Sequence, residues 1–277
     1  MEEMEKLFKE PIRSPSGQPV QLCNHEELLR IKVEAYNSID CEARGYDCPL
    51  CRNRESIAFL RDDGTIAFKD CRCKSIRKYL RKIEKSGMKD TLQRFTFETF
   101  NAEEPWQQTI KEGAKRFSLD PKGWLLFCGQ SGSGKTHLCT AVCNALLLAG
   151  NDVTYMPWRD DVSEIKSRSI DGDKRNRYIS DLKKAPVLYI DDLFKAGRSR
   201  DGSCQLSSSD VGITFDIINY RYSNRLTTII STELTPFDLA QIDEAVGGRI
   251  IEMAGQYTFA ITPKAGRNYR LRNVVEV

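Results

Sequence analysis

One stretch limits this chain to a narrow set of folds: Gly129-Gln130-Ser131-Gly132-Ser133-Gly134-Lys135-Thr136 satisfies every fixed position of G-x-x-x-x-G-K-[ST]. The pattern has chemical meaning only between a strand and a helix, and both neighbours are legible. Trp124-Leu125-Leu126-Phe127-Cys128 is a short apolar run suited to a buried strand. After the loop, Leu138, Ala141, Val142, Ala145, Leu146 and Ala149 recur at helical spacing up to a stop at Gly150. Here glycines let successive backbone N–H groups wrap phosphates, and the helix N-terminus adds positive potential. Lys135 is expected to reach the terminal phosphates of a nucleoside triphosphate, and the Thr136 hydroxyl to ligate Mg²⁺. A Gly/Ser-rich turn with no ligand is the competing reading, and the strand-loop-helix context weighs against it.

A second signal agrees with the first. Val187-Leu188-Tyr189-Ile190-Asp191-Asp192 is a β-branched and apolar strand ending in adjacent carboxylates, and in a parallel sheet such an end lies near the phosphate loop. Asp191 is then placed to hold Mg²⁺ through water and Asp192 to orient an attacking water. Aspartates also cap helices, but beside a complete phosphate loop that explanation is weak. Further strands are expected at residues 153–156, 226–231 and 257–261, with helices over 105–117 and 210–222. Thr235-Pro236-Phe237-Asp238 is a helix N-cap signature. Little chain follows the last strand, so no separate lid domain is expected.

The ten cysteines point to metal or reduced thiols in a chain expected to be cytoplasmic. Its start lacks a signal-peptide pattern, and no apolar run reaches the about eighteen residues of a membrane span. Cys48-Pro49-Leu50-Cys51 precedes two strand-like pieces, 56–61 and 65–69, joined at Asp62-Asp63-Gly64; Cys71-Arg72-Cys73 follows. Two thiolates on a knuckle, a hairpin and two returning thiolates make a zinc-ribbon pattern, whose sulfur set suits closed structural Zn²⁺. The second pair is C-x-C where C-x-x-C is usual, so Cys41 competes for the fourth position. His25 and His137 are expected to be polar or packing residues rather than ligands.

Around these signals the chain divides into a helical and mobile N-terminal segment (1–40), a cysteine module with a basic helix (41–90) and a nucleotide domain (91–277). The first segment could dock on a partner or pack on its neighbour. The basic helix shows Ile76, Tyr79, Leu80 and Ile83 on one stripe, with Arg72, Lys74, Arg77, Lys78, Arg81, Lys82 and Lys85 on the others. That charge offers itself to phosphates, to an acidic protein or to water alone. The net charge of +3 decides nothing by itself. Residues 91–100 form an aromatic connector expected to pack, since three phenylalanines would not stay in water. Residues 157–184 mix Trp158 and Tyr178 with Arg159, Lys166, Arg168, Lys174, Arg175 and Arg177. Such a mixture suits a single-strand track, and a plain pair of surface helices competes with it.

The 129–136 loop, the Leu188-Tyr189-Ile190-Asp191-Asp192-Leu193 strand end, Ile229-Ile230-Ser231-Thr232 and Arg249 together resemble an AAA+ ATPase of the DnaC/IstB-like group. Gly134-Lys135-Thr136-His137-Leu138 continues the loop as that group commonly does, and the resemblance runs from about Phe95 onward. It implies an α/β fold: an AAA+ P-loop NTPase core with a five-stranded parallel sheet, behind a small zinc-ribbon-like module. It implies a helicase loader that binds ATP, Mg²⁺ and single-stranded DNA, engages the replicative helicase and self-associates. Ser231 or Thr232 would be the polar sensor at the fourth strand end, and Arg249 the arginine finger offered to a neighbouring subunit. Two departures stand out. Asp192 occupies a position where many members carry glutamate, which implies slow or partner-dependent hydrolysis, and Glu233 one where related loaders often have asparagine.

The chief rival is a transposition helper ATPase of IstB type acting on duplex DNA, which the cysteine module disfavours. A small-molecule P-loop kinase would need an acceptor pocket and an arginine-rich lid. A nucleotide-gated adaptor without turnover is the remaining alternative.

Overall fold

The computed structural model describes residues 24–42, 46–85, 94–167, 172–195, 206–264 and 266–271, with backbone alone for 82–85. The expected mobile lead, residues 91–93 of the connector, Arg168, the 196–205 part of the Gly/Ser/Arg loop, and the side chains of Lys82, Ile83 and Lys85 lie outside the described residues. The chain falls into two compact units divided after Lys74.

In the first unit, α1 (His25–Ser38) starts at Asn24, whose side chain caps Glu26 N, with Glu26 and Glu27 favourable in the first turn. Strands β1 (Ser56–Leu60) and β2 (Ile66–Asp70) form the expected antiparallel hairpin, with Leu60 opposite Ile66. Asp63 closes its turn by accepting from Thr65 N at 2.9 Å. Asn37 of α1 bonds both backbone groups of Ala58, and the Tyr36 ring meets Phe68 edge-on at 4.9 Å. Helix α2 (Cys73–Lys85) begins at the last residue of the cysteine motif.

From Ser75 the residues of α2 belong to the second unit, where Ile76 and Tyr79 are buried as the stripe requires. Arg77 departs from the expectation: assigned to the charged outer faces, it is 3% exposed. At helical pitch it lies beside Ile76 and one turn before Leu80, on the flank of the apolar stripe. Lys78 and Arg81 keep the exposure expected of them.

The elements that follow are α3 (Pro105–Leu119), β3 (Trp124–Gly129), α4 (Lys135–Leu148), β4 (Val153–Pro157), α5 (Trp158–Ser167), α6 (Gly172–Lys184) and β5 (Val187–Asp191). After them come α7 (Ser208–Ser223), β6 (Thr227–Ser231), α8 (Pro236–Ile242), α9 (Glu244–Ala254) and β7 (Thr258–Ile261). The five strands form one parallel sheet in the order β4-β5-β6-β3-β7. All six residues of β3 are buried, as continuous apolar runs in doubly covered parallel strands should be.

Strand alternation divides the core between the two faces. Trp124, Leu126, Leu188, Ile190 and Ile230 join Ile213 and Ile217 of α7 and Val246 and Ile250 of α9. The opposite parity, including Leu125, Phe127, Tyr155, Tyr189 and Ile229, faces α4, which packs against β3, β4, β5 and β6 with α3 beside it. Trp158 corrects the single-strand track. It is buried, donates from Nε1 to Thr214 Oγ1 at 3.0 Å and meets the Phe194 ring at 5.4 Å. With Val162 and Ile165 it makes an i, i+4, i+7 stripe into the core, and Tyr178 packs on that same core. The apolar spacing outweighs the surrounding charges.

Arg221 is fully buried on α7 and donates to the carbonyls of Leu182, Lys183, Ala185 and Thr227 and to Thr228 Oγ1. It thereby ties the end of α6 to the start of β6.

Candidate functional site

The phosphate loop leaves β3 in a conformation that only glycine supplies cheaply. Gly129 has φ +96°, and a Cβ there would stand 2.2 Å from the Ile261 carbonyl oxygen. Gly134, the N-cap of α4, has φ +92°, and a Cβ would meet Phe100 at 2.6 Å. Phe100 and Phe95 of the aromatic connector hold His137 between them, one edge-on at 5.2 Å and one stacked at 4.5 Å. His137 is thus a packing residue, and burial depresses its imidazole below the usual histidine range. On the other side the loop is tied to the chain beyond β7. Gln130 N donates to Ile261 O at 2.9 Å, the Gln130 side chain bonds both backbone groups of Lys264, and Tyr269 N donates to Gly132 O at 3.0 Å.

Lys135 is 5% exposed, and its Nζ donates to Gly129 O at 2.8 Å and to Gln130 O at 2.7 Å. Burial pulls its ammonium below the ordinary lysine range, while Glu233 and Asp192 push it back up. The loop bounds a cavity of about 530 Å³, lined also by Ser131, Ser133, Thr136, Asp191 and Asp192. A space of this size suits a nucleotide.

Because β6 lies between β3 and β5, the end of β6 sits between the loop and the two aspartates. Asp191 accepts there from Ser231 Oγ at 2.5 Å, Tyr189 Oη at 2.6 Å, Tyr155 Oη at 3.0 Å and Thr136 Oγ1 at 3.2 Å. Burial and the neighbouring Asp192 charge raise its carboxyl above the usual carboxylate range, against the pull of the hydroxyls. Thr136 and Asp191 are the pair that could hold Mg²⁺. Asp192 takes φ +54°, uncommon for a residue with a side chain, and its N–H donates to Ser231 Oγ at 2.9 Å.

Of the two sensor candidates, Ser231 touches Asp191, whereas the Thr232 hydroxyl donates to Leu193 O at 2.8 Å and serves the backbone. Arg249 lies on α9 with its guanidinium 5.3 Å from the Phe215 ring and 5.5 Å from that of Tyr222, apart from the residues lining the cavity. Sequence reasoning missed the tyrosine hydroxyls on Asp191, although two-residue spacing already put Tyr189 on its face. It also missed Arg267, Tyr269 and Arg270 at the cavity, which only the path of the chain after β7 reveals.

In the first unit Cys48, Cys51, Cys71 and Cys73 are buried with their sulfurs within 4.8 Å of one another. Cys48 and Cys71 are 3.8 Å apart and Cys51 and Cys73 3.4 Å, near the ~3.8 Å between sulfurs of a tetrahedral site with ~2.3 Å Zn–S bonds. The knuckle is shaped by left-handed Arg52, Asn53 and Glu55, with Asn53 Oδ1 accepting from Cys48 N at 2.9 Å. The residues fit Zn²⁺, and the C-x-C pair needs no substitute, because Cys41 is exposed and outside the cluster.

A P-loop nucleotide-binding protein of the AAA+ type is the class to which this fold and this site commit the chain. Within it the likeness is narrower: the chain belongs to the IstB-like ATP binding protein family, whose profile matches residues 63–254. The phage-like element PBSX protein XkdC of Bacillus subtilis is 32% identical over 250 residues, 85% of this chain and 90% of that protein. The replicative helicase loader DnaC of Escherichia coli is 26% identical over 179 residues, 63% of this chain and 69% of that protein. A crystal structure of the DnaC helicase loader aligns with TM-score 0.53 and 26% identity, covering 62% of this chain and 98% of that one. Among the described residues no helix is long and apolar enough to cross a membrane.

Proposed function

We propose that the chain is an ATP-dependent DNA replication protein: a helicase loader that hydrolyses ATP slowly at subunit interfaces while engaging single-stranded DNA and a replicative helicase. The observation that carries the choice of partner is the alignment spanning 98% of a solved DnaC helicase loader. The site geometry supports ATP use. Lys135, now bonded to loop carbonyls, would exchange them for the terminal phosphates; Thr136 and Asp191 would hold Mg²⁺, which when bound neutralises charge on the phosphates. Asp192 orients the attacking water, its shorter reach than glutamate limiting the rate. Arg249, away from the cavity of its own chain, completes the site of a neighbour. The cysteine module carries structural Zn²⁺, and the protein works in the cytoplasm.

The test titrates the full chain, with ATP·Mg²⁺ and with ADP, against labelled single-stranded and duplex DNA at two salt concentrations, since phosphate-driven binding must weaken with salt. ATP-dependent preference for single strands is expected. ATP-dependent coating of duplex would instead select a transposition helper, a reading favoured by the description of the matched family as IstB-like.

A further inference from the structure

The turn after β5 carries a cation that no motif announces. Lys195 Nζ lies 2.8 Å from Asp192 Oδ2 and 3.4 Å from Glu233 Oε1, and all three residues line the cavity that holds the phosphate loop. The backbone that delivers them is strained. Asp192 and Phe194 take φ +54° and +59°, a region that residues with side chains avoid and bulky ones especially. The strain is held in place by Leu193 N donating to Ser231 O at 2.8 Å and by the buried side chains of Leu193 and Phe194. Backbone strain of this kind persists where the surroundings over-determine it, and here its product is an aspartate and a lysine aimed into one cavity.

The site divides its two lysines between two kinds of partner. Lys135 is buried and bonded to backbone carbonyls, whereas Lys195 is part exposed and, among the described residues, bonded to carboxylates. An ammonium on a flexible four-carbon stem changes partner without moving its backbone. The terminal phosphate of a triphosphate presents more charge and more acceptor oxygens than either carboxylate. A diphosphate lacks that group. Lys195 also sits above the usual lysine range: burial lowers it, but Asp192 and Glu233 more than offset this, so it arrives charged.

We propose that Lys195 senses the terminal phosphate: without nucleotide it holds Asp192 and Glu233, and with ATP it transfers to the γ-phosphate, releasing Asp192 to orient water. This inference rests on the ATPase reading above. The test measures ATP·Mg²⁺ and ADP·Mg²⁺ affinity by calorimetry on the full chain, as wild type, Lys195→Met and Lys195→Arg. Lys195→Met should lose about tenfold in ATP affinity and less than about twofold for ADP, with Lys195→Arg recovering most of the ATP preference. Equal losses for both nucleotides, or no loss for either, overturn the proposal. Turnover at saturating ATP separates a sensor from a simple restraint. A sensor makes Lys195→Met slower than wild type; a faster Lys195→Met shows that the lysine only holds Asp192 back, and the proposal falls. A wild-type chain that binds neither nucleotide would defeat the ATPase reading itself, and this inference with it.

Discussion

The cysteine unit and the nucleotide unit bury polar groups by different means. Among the described residues of the first unit, the buried side chains are four cysteines and two alanines, Ala58 and Ala67. In the second, Asp191 keeps four hydroxyl donors around it, and the strands and helices behind it supply an apolar core on both faces of a sheet. Among its described residues the first unit has almost no core apart from its sulfurs; the second has an apolar core of its own behind the ligand site. A ligand should therefore be a condition of folding in the first and only a condition of function in the second.

The largest expected effect breaks the first side of this comparison. Structural zinc contributes on the order of 10 kcal/mol of apparent free energy in small metal-held modules. Chelation, or Cys73→Ser in the full chain, should expose residues 24–74 to limited proteolysis and release zinc measurable by atomic absorption, while nucleotide affinity persists. A protease-resistant first unit after chelation would show that the apolar contacts suffice.

On the second side, Arg221→Met removes the donor shared by four carbonyls and Thr228. Unsatisfied buried carbonyls should lower the stability of the nucleotide unit by about 3 kcal/mol, read by urea unfolding, without changing zinc content. A smaller effect separates the two sensor candidates. Ser231→Ala should slow ATP turnover about tenfold, equivalent to ~1.4 kcal/mol, whereas Thr232→Val should alter stability more than turnover. The reverse pattern would return the sensor role to Thr232.

The smallest effect runs in the opposite direction. The folded-state pKa of Asp191 is raised, so the native protein holds this proton more tightly than the unfolded chain does. Its contribution is then fully present below the unfolded value and is lost as pH rises through the folded one. Above the folded-state value the ionised carboxylate is a burden, and Asp191→Asn should raise the stability of the nucleotide-free protein while weakening Mg²⁺-dependent binding. Thermal melts should show the gain shrinking as pH falls toward the ordinary carboxylate range; a gain independent of pH would exclude ionisation as its cause.

What was legible in the sequence was whatever a local pattern determines alone. The phosphate loop, the strand ending in Asp191 and Asp192, and the hairpin between the cysteine pairs each sit within a few consecutive turns or strands of chain. Trp158 reads as exposed because charge surrounds it, while the helical stripe that buries it extends over two turns; Arg77 is itself a charge, and its burial follows from its place on the flank of the α2 stripe. Ser231 could be narrowed only to a pair, because the parity that aims its hydroxyl at Asp191 depends on the register of β6 between its neighbours. Lys195 and Glu233 meet across a turn and a strand end, and no spacing in the chain encodes that meeting.

The bonds from Gln130 and Gly132 to the segment that leaves β7 carry a consequence for local opening. β7 is an edge of the sheet as described, and edge strands open before central strands do. A phosphate loop bonded to Ile261, Lys264 and Tyr269 shares the fate of that edge, so its amide protons should exchange together with those of residues 258–264 and 266–269. Nucleotide occupancy would then leave its clearest hydrogen-exchange footprint more than a hundred residues beyond the loop that binds it.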